Sequence, residues 1–361
     1  MTAAERRPRP AATALDRPAL VFHDGRIVPS DQAALPLGSI ALRYGVSVFE
    51  GVRLYRGADP AGGLAPWQLD AHLDRLRNSC RLMGLDERCA DEVPWILEDV
   101  VAANGIAEDC YARIAASAGN PGGIGDPAQT VLTVSVARSG RKRWLATGEG
   151  ADLTVSDRRR PGTEVFPSAA KNISAYAGPR LAKAAAAAAG FDDCLLLTDA
   201  GLVSEAPTAT VFLVEGGRLV TPRLADAVLP GITRAWVLAT ARALGLEARA
   251  EAVEPGRLAA ADEVFLCGTG AEFVPTRSVD RTELAGWPAC PVTTDLVNVY
   301  FEQVRGTAET TLVSWADAAE LTAGRSAAAA ASDAAAADAE VAGRAGGARA
   351  RVPALRGTAP S

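Results

Sequence analysis

Lysine and histidine are scarce in this chain of 361 residues. Its 37 basic residues include only three lysines, Lys142, Lys171 and Lys183. An arginine is not deprotonated near neutral pH and cannot form an imine with an aldehyde, so Schiff-base chemistry would fall to one of these lysines. The two histidines, His23 and His72, lie far apart, which leaves a zinc site or a Ser-His-Asp triad poorly supplied. We therefore expect no metal.

The charge balance and the hydropathy exclude further classes of protein. The net charge is −6 and no basic stretch carries interleaved aromatic residues, which argues against a nucleic-acid-binding surface. Residues 1–17 contain no continuous apolar segment typical of a signal peptide, and no segment has the ~20 apolar residues of a membrane span. Six cysteines without a C-x-x-C pair are typical of reduced thiols. We expect a cytoplasmic protein that binds neither nucleic acid nor membranes.

The length and the apolar pattern predict an α/β fold with two domains, because globular domains usually run to ~100–150 residues. A small α/β domain is expected over residues 18–138 and a larger domain over residues 146–317. A polar interdomain linker is expected over residues 139–145. Residues 1–17 are predicted to be flexible. Residues 318–361 are rich in alanine, which buries too little surface to offset chain entropy, so this tail is predicted to be disordered.

Periodicity places strands and helices along both domains. Residues 47–55 alternate in character, which predicts a strand with one partly polar and aromatic face. Residues 68–85 carry apolar side chains every three or four positions, which predicts an amphipathic helix with Arg75 off its apolar stripe. Further strands are expected at 19–22, 25–28, 110–116, 130–137, 151–155, 194–198, 202–214 (with a break at Ala206-Pro207) and 263–267, and further helices at 92–103, 178–189 and 232–244.

Lys171 differs from the other lysines in its surroundings. Lys142 lies in an Arg-Lys-Arg run and Lys183 in an alanine-rich helix, both typical of solvated charge. Small and hydroxylic residues flank Lys171, with no charged residue nearby in the sequence. The residues alone leave two interpretations open, a reactive amine and a lysine on a polar loop.

Several other places in the chain are suited to an anion. Arg75 is either a solvated helix residue or an anion ligand. Tyr111 and Arg113 share one face of a predicted strand, as anion-directed donors or as a rim-exposed pair. The turn at 229–231 precedes a predicted helix, and the turn at 268–270 follows a predicted strand. In both places backbone N–H groups can approach a phosphate. Each of these signals is weak by itself.

Six motifs occur in a fixed order between about residues 20 and 317. They are Tyr44-Gly45-Val46-Ser47-Val48-Phe49-Glu50-Gly51-Val52-Arg53, His72-Leu73-Asp74-Arg75-Leu76, Lys171 with Tyr176, Val203-Ser204-Glu205, Leu229-Pro230-Gly231-Ile232-Thr233-Arg234, and Gly268-Thr269-Gly270-Ala271-Glu272. This order resembles the class IV (fold type IV) pyridoxal-phosphate aminotransferases, most closely the branched-chain amino-acid aminotransferases. The resemblance implies a small N-terminal α/β domain, a larger C-terminal domain and a homodimer with its site near the subunit interface.

The resemblance also implies a role for each matching position. Lys171 would hold pyridoxal 5'-phosphate through a Schiff base and move the α-proton of the substrate. Glu205 would contact the pyridine nitrogen and so make the ring an electron sink. The other cofactor contacts would be Arg75, Tyr176 and the backbone N–H groups of Ile232, Thr233 and Thr269. The substrate contacts would be Tyr44, Phe49, Arg53, Tyr111, Arg113, Thr269 and Gly270.

The implied reaction is transamination between an L-branched-chain amino acid (leucine, isoleucine or valine) and 2-oxoglutarate. Several positions depart from the family pattern: Ala206 replaces a usual glycine, Ala209-Thr210 replaces a Glu-Asn pair, Gly270 stands where alanine is frequent, and residues 172–176 lack a usual glycine pair. These changes touch the pocket wall and leave a specialised amino donor open. The alternatives are a D-amino-acid or (R)-amine aminotransferase or an aminodeoxychorismate lyase of the same fold, and a non-catalytic binding protein.

Overall fold

The computed structural model of the protein describes residues 18–58 and 63–306. The strands of this part are β1 (Leu20–His23), β2 (Arg26–Pro29), β3 (Ser47–Arg56), β4 (Leu64–Pro66), β5 (Cys110–Ala118), β6 (Thr130–Arg138), β7 (Ala151–Arg159), β8 (Asp193–Leu197), β9 (Thr210–Glu215), β10 (Arg218–Thr221), β11 (Ala248–Ala250), β12 (Glu263–Gly268), β13 (Glu272–Val279) and β14 (Thr282–Glu283). The helices are α1 (Ile40–Tyr44), α2 (Leu69–Leu82), α3 (Val93–Ala103), α4 (Arg143–Thr147), α5 (Ala177–Ala188), α6 (Ile232–Ala243), α7 (Pro255–Ala260) and α8 (Pro291–Arg305). The predicted flexible N-terminus and disordered tail lie outside the described residues.

The first six strands form one antiparallel sheet in the order β2-β1-β6-β5-β3-β4. Strand β3 shows the predicted alternation. Val48 and Val52 join a core that includes Leu76 of α2 and Ile96 of α3. The opposite face carries Phe49, which lies against the ring of Tyr176. The first sheet therefore packs its helices on one face and offers the other to the rest of the molecule.

The remaining strands form a mixed sheet in the order β11-β10-β9-β12-β13-β7-β8, with β14 paired to β13. The pairs β10–β11, β13–β7 and β7–β8 are parallel, and the other pairs are antiparallel. Trp236 of α6 and Tyr300 of α8 pack on one face of this sheet against Phe212 and Phe265. Leu258 of α7 belongs to a second core, built on other side chains of the same strands. Helices and strands together give the α/β class that the sequence predicts.

The strand predicted over residues 202–214 is interrupted where the sequence predicts a break, at Ala206-Pro207, and the part before that break is irregular. The sequence favours a strand over residues 202–214, but regular pairing begins only at Thr210. Val203 forms an isolated bridge with β8, and the backbone then turns, with Ala206 N–H donating to the Ala209 carbonyl. Pro207 has no N–H to contribute to a ladder, which is why the strand cannot continue through it. The irregular stretch supplies residues to the cavity described below.

The chain between the two sheets runs from residue 139 to residue 150 and contains the short helix α4. The domain boundary at 139–145 stays a prediction. Within the described residues, no helix is both long and apolar enough to traverse a lipid bilayer.

Candidate active site

A cavity of about 690 Å³ is lined by residues of both sheets. All but two of the positions singled out from the sequence line it. They are Phe49, Arg75, Tyr111, Arg113, Lys171, Tyr176, Glu205, Ile232, Thr233, Thr269 and Gly270. Residues separated by more than 200 positions in the sequence therefore share one chamber. Their roles toward a ligand stay predictions at this point.

Lys171 is fixed through its backbone to the first sheet and its helix. Its N–H donates to Ser79 Oγ of α2 at 3.0 Å, and its carbonyl accepts from Phe49 N of β3 at 2.9 Å. The next residue, Asn172, accepts a hydrogen bond from Ala175 N and starts a short 3-10 turn that leads into α5. This cap is the local reason the chain turns there, since an asparagine side chain satisfies an N–H that the helix leaves unpaired.

The amine of Lys171 projects between two aromatic rings. Nζ lies 2.9 Å from Tyr176 Oη and 4.8 Å from the centroid of the Phe49 ring. Burial, reinforced by the charge of Arg75, lowers the pKa of Lys171 to about 8, while the carboxylates of Glu50 and Glu205 oppose that shift. A lysine with this pKa supplies an unprotonated amine close to neutral pH, which nucleophilic and base chemistry both require.

Glu205 is a nearly buried carboxylate on the irregular stretch that precedes β9. Its Oε1 lies 2.8 Å from a guanidinium nitrogen of Arg160 and accepts a hydrogen bond from Leu229 N at 3.3 Å. Burial raises the pKa of Glu205, and the positive charge of Arg160 opposes that rise. Burial, and to a smaller extent the negative charge of Glu205, raise the pKa of the Tyr176 phenol to about 12. This hydroxyl therefore keeps its proton at neutral pH.

Arg75, Ile232, Thr233 and Thr269 form what we call the anion cup. Nη1 of Arg75 donates to the Pro230 carbonyl at 2.8 Å, which places the guanidinium beside the chain that enters α6. Ile232 and Thr233 open that helix, whose first N–H groups have no partner within the helix. Thr269 lies in the turn between β12 and β13 that is closed by Ala271 N–H donating to the Gly268 carbonyl. A cation, a helix N-terminus and a turn on one cavity wall are suited to a phosphate.

A buried network stands behind the anion cup. Glu50 Oε1 accepts from Arg75 Nε at 2.6 Å, and Oε2 accepts from Arg75 Nη2 at 2.9 Å and from His72 Nδ1 at 2.7 Å. Burial alone would raise the pKa of Glu50, but the charges and hydrogen bonds of Arg75 and His72 outweigh it and lower the pKa well below its usual range. These contacts therefore favour the ionised form of Glu50 at neutral pH.

A second group of residues lines the cavity wall on the first sheet. The Arg113 guanidinium lies 3.9 Å from the centroid of the Phe49 ring, which is a cation–π contact. Tyr111, on the same strand, crosses to β3 and covers Gly51, where a Cβ atom would lie 1.8 Å from the phenol oxygen. The absence of a side chain at Gly51 therefore leaves the space that the Tyr111 ring occupies. An apolar wall with one guanidinium and one phenol results.

Arg53 and Tyr44 do not line this cavity within a single chain, and their roles toward a substrate stay predictions. Arg53 is fully buried and its Nη2 lies 3.2 Å from Glu272 Oε1 and 2.6 Å from the Ser139 carbonyl. Glu272 also accepts a hydrogen bond from the Tyr55 hydroxyl at 2.8 Å. Arg53 therefore joins the first sheet to the second, because a buried guanidinium binds where its charge is matched. Tyr44 ends α1 and packs against the core of the first sheet.

Sequence reasoning also missed residues that hold the site. Glu50 carried a signal, since a carboxylate between Val48 and Val52 on an apolar strand face indicates a buried ion pair. His72 precedes Arg75 by three positions on one helix, so the two side chains share a face. Arg160 carried none, because it ends a run of three arginines that is typical of a solvated turn.

Comparisons with known proteins give concordant results. A family model described as amino-transferase class IV matches residues 47–279. The branched-chain-amino-acid aminotransferase of Escherichia coli K12 is 31% identical over 294 residues, which cover 80% of this chain and 94% of that protein. A probable branched-chain-amino-acid aminotransferase of Aquifex aeolicus is 30% identical over 291 residues, 79% of this chain and 92% of that protein.

Solved structures give the same result. A branched-chain aminotransferase from Thermoproteus uzoniensis with norvaline superposes with a TM-score of 0.75 at 32% identity, covering 80% of this chain and 96% of that one. The branched-chain amino acid aminotransferase of Thermobaculum terrenum in its PLP-form (holo-form) has a TM-score of 0.74 at 31% identity, covering 81% and 95% of the two chains.

The depressed pKa of Lys171 predicts a pH profile for amine modification. In the ligand-free protein, trinitrobenzenesulfonate should react with Lys171 at a rate that rises with pH and reaches half its maximum near pH 8, since only the unprotonated amine reacts. Peptide mass spectrometry identifies the modified lysine, and Lys171→Ala provides the blank. A midpoint near the ordinary lysine pKa of 10.5 would contradict the proposed environment.

The position of Arg53 predicts a large stability effect. Arg53→Met should lower the free energy of unfolding by about 3–5 kcal/mol, because Glu272 is left as an uncompensated buried charge. Adding Glu272→Gln should recover part of the loss. The exposed pair of Arg88 with Asp86 is the control, for which Arg88→Met should leave the free energy of unfolding nearly unchanged. Denaturant titration followed by circular dichroism measures all three, and equal losses for Arg53 and Arg88 would contradict the assignment.

Proposed function

The chain belongs to the class IV aminotransferases, and from this premise we propose that it transfers the amino group between an L-branched-chain amino acid and 2-oxoglutarate, with Lys171 as its catalytic amine. Relatives that this chain matches over nearly their whole length are branched-chain aminotransferases. The observation that carries the proposal is the lysine with a lowered pKa, set beside Tyr176 in a cavity that also contains an anion cup.

The residues of the cavity fit pyridoxal 5'-phosphate, the cofactor of this family. The anion cup suits its phosphate, and the partly unprotonated amine of Lys171 suits its aldehyde. Tyr176 and Glu205 would contact the ring hydroxyl and the ring nitrogen. When bound, the cofactor supplies an electron sink for the charge that develops at the substrate α-carbon. The holo-form of the Thermobaculum terrenum enzyme supports this choice, since a relative of the same fold holds this cofactor.

Lys171 also moves the substrate proton in this proposal. A base works best when its pKa lies near the working pH, and burial beside Arg75 brings Lys171 to about 8. Nζ would accept the proton from the substrate α-carbon and pass it to the cofactor carbon that receives the amino group, which completes that half-reaction; in the opposite half-reaction the same amine would carry a proton in the reverse direction. The protonated Tyr176 hydroxyl, 2.9 Å from Nζ, restricts where that amine can point. The hydrogen bond to Tyr176 therefore orients Nζ of Lys171 for proton transfer.

The substrate side chain would lie against the wall built from Phe49, Tyr111 and Arg113. The apolar ring surface suits a branched aliphatic group. The Arg113 guanidinium, fixed over the Phe49 ring, suits the γ-carboxylate of glutamate in the second half-reaction. Thr269 and Gly270 would direct backbone N–H groups to the α-carboxylate. One wall with both characters allows a single site to accept two kinds of substrate.

Assays with a panel of amino donors test the function. With 2-oxoglutarate as acceptor, leucine, isoleucine or valine should be turned over faster than D-alanine or an (R)-amine, and Lys171→Ala should reduce turnover at least ~10³-fold, as removal of a catalytic nucleophile or base does. Consumption of 2-oxoglutarate is measured by chromatography, which detects transfer from L- and D-amino donors alike. Faster turnover of D-alanine than of leucine would replace the proposed substrate, and an active Lys171→Ala would remove the proposed chemistry.

We further propose a cytoplasmic homodimer whose interface borders the cavity. Leu37 is 90% exposed, Leu42 57% and Ile124 81%, although all are large apolar side chains. The segment that carries Leu37 and Leu42, which includes α1, lies beside the loop that carries Ile124, because Ile40 N–H donates to the Asn120 carbonyl at 3.0 Å. Clustered exposed apolar residues are typical of an interface. The end of α1 touches the turn after Lys171, where Ser174 donates to the Gly45 carbonyl. Six free cysteines suit a reducing compartment.

Disrupting this apolar surface should produce monomers. Leu42→Glu places a charge in the proposed interface, and the mass measured by light scattering after gel filtration should fall from that of a dimer to that of a monomer. The control is Leu82→Glu, at a side chain that is 45% exposed on α2, which should leave the mass unchanged. A wild-type protein that elutes as a monomer at micromolar concentration would rule out the proposed dimer.

A further inference from the structure

Glu50 contacts Arg75 of the anion cup directly and Thr269 indirectly through His72, although it does not line the cavity. Its carboxylate is fully buried in β3, and each of its oxygens accepts a hydrogen bond from Arg75. Oε2 additionally accepts from His72 Nδ1 at 2.7 Å. A buried carboxylate that is saturated in this way cannot act on a ligand directly. It can determine how the side chains of Arg75 and His72 are oriented.

The Arg75 guanidinium is held in a single orientation by these contacts. Its Nε–H and one Nη2–H donate to Glu50, and one Nη1–H donates to the Pro230 carbonyl. One N–H on each terminal nitrogen is then left for an anion, in the planar arrangement that binds phosphate oxygens in pairs. Without Glu50, rotation about the long arginine side chain would disperse these two donors.

His72 carries the influence of Glu50 to Thr269. Because Nδ1 donates to the carboxylate, Nε2 of the neutral ring must be an acceptor, and it lies 3.4 Å from Thr269 Oγ1. Burial lowers the pKa of His72, which favours this neutral form. The Thr269 hydroxyl is thereby oriented by the same carboxylate that orients Arg75. Glu50 therefore links a helix of the first sheet with a turn of the second.

We propose that Glu50 is the positioning residue of the anion cup, and that it sets the affinity for the phosphate group of the cofactor by fixing Arg75 and, through His72, Thr269. The inference rests on the proposed function, since it takes the anion cup to be the phosphate site. It assigns no contact between Glu50 and the cofactor.

Position and charge predict opposite results when Glu50 is changed. If Glu50 acted only through its negative charge, its neutralisation would strengthen the binding of an anion nearby. If it acts by position, Glu50→Gln should weaken binding, because the amide NH₂ group would face a donor N–H of Arg75. Glu50→Asp keeps the charge and withdraws the carboxylate by one methylene, so position again predicts weaker binding.

The test compares pyridoxal 5'-phosphate with pyridoxal, by calorimetric titration of the ligand-free full-length protein. Both ligands carry the same aldehyde, so reaction with Lys171 cancels in the ratio of the two affinities. Glu50→Gln and Glu50→Asp should each lose about tenfold to 100-fold in affinity for the phosphate form, which is the range for hydrogen bonds to charged groups. Their affinity for pyridoxal should stay that of the wild type.

Glu263→Gln is the matched control for loss of a buried carboxylate. Glu263 is nearly fully buried and accepts from Val292 N and Thr293 N at the start of α8, away from the cavity wall. This variant should lower the melting temperature and leave the affinity ratio unchanged. Should Glu50→Gln fail to fold, Glu50→Asp carries the comparison.

Three results would overturn the inference. Equal losses for both ligands in the Glu50 variants would show a general structural defect, and tighter binding of the phosphate form by Glu50→Gln would show an effect of charge alone. A wild-type protein that binds pyridoxal as tightly as its phosphate would overturn the assignment of the anion cup in the proposed function, and the inference with it. The first two results leave the proposed function standing.

Discussion

The site depends on the hydrogen bonds that tie the backbone of Lys171 to the first sheet. Lys171 lies between β7 and β8 of the second sheet, yet its carbonyl is satisfied by Phe49 of the first sheet and its N–H by Ser79 of the helix packed on that sheet. A buried backbone group left unpaired costs free energy, so the segment has little freedom to move away. The amine is consequently held where residues from both sheets meet.

Two ion pairs border the cavity, and the amine of Lys171 belongs to neither of them. Arg75 is matched by Glu50, and Arg160 by Glu205, at hydrogen-bonding distances. Lys171 has no carboxylate within hydrogen-bonding distance among the described contacts, only the Tyr176 hydroxyl. Burial therefore acts on Lys171 without a compensating ion pair, which is why its pKa falls while Glu50 stays ionised. The lowered pKa of Lys171 therefore follows from the pairing of the neighbouring arginines and carboxylates with one another, which leaves the amine without an ion pair.

The sequence predicted the elements and residues whose signals are local. The alternation in β3, the amphipathic pattern of α2 and the isolation of Lys171 among arginines all depend on short stretches of chain. The role of Arg53 could not be predicted, because its partner Glu272 lies 219 positions away and only the pairing of the two sheets brings them together. The break before β9 was predicted from Pro207, but the irregular backbone on either side of it was not, since apolar and β-branched residues favour a strand locally.

Helix α2 carries His72, Arg75 and Ser79 on one face, and these residues contact the Thr269 turn, the Pro230 carbonyl and the backbone of Lys171 respectively. Arg75 and Ser79 are four residues apart, so the helical rise separates them by about 6 Å along the axis. One turn of α2 therefore sets the spacing between the contact of Arg75 in the anion cup and the backbone that carries Lys171. A single residue inserted in that turn would rotate one contact by about 100° relative to the other. The relative placement of the anion cup and the Lys171 segment thus depends on the regular geometry of α2.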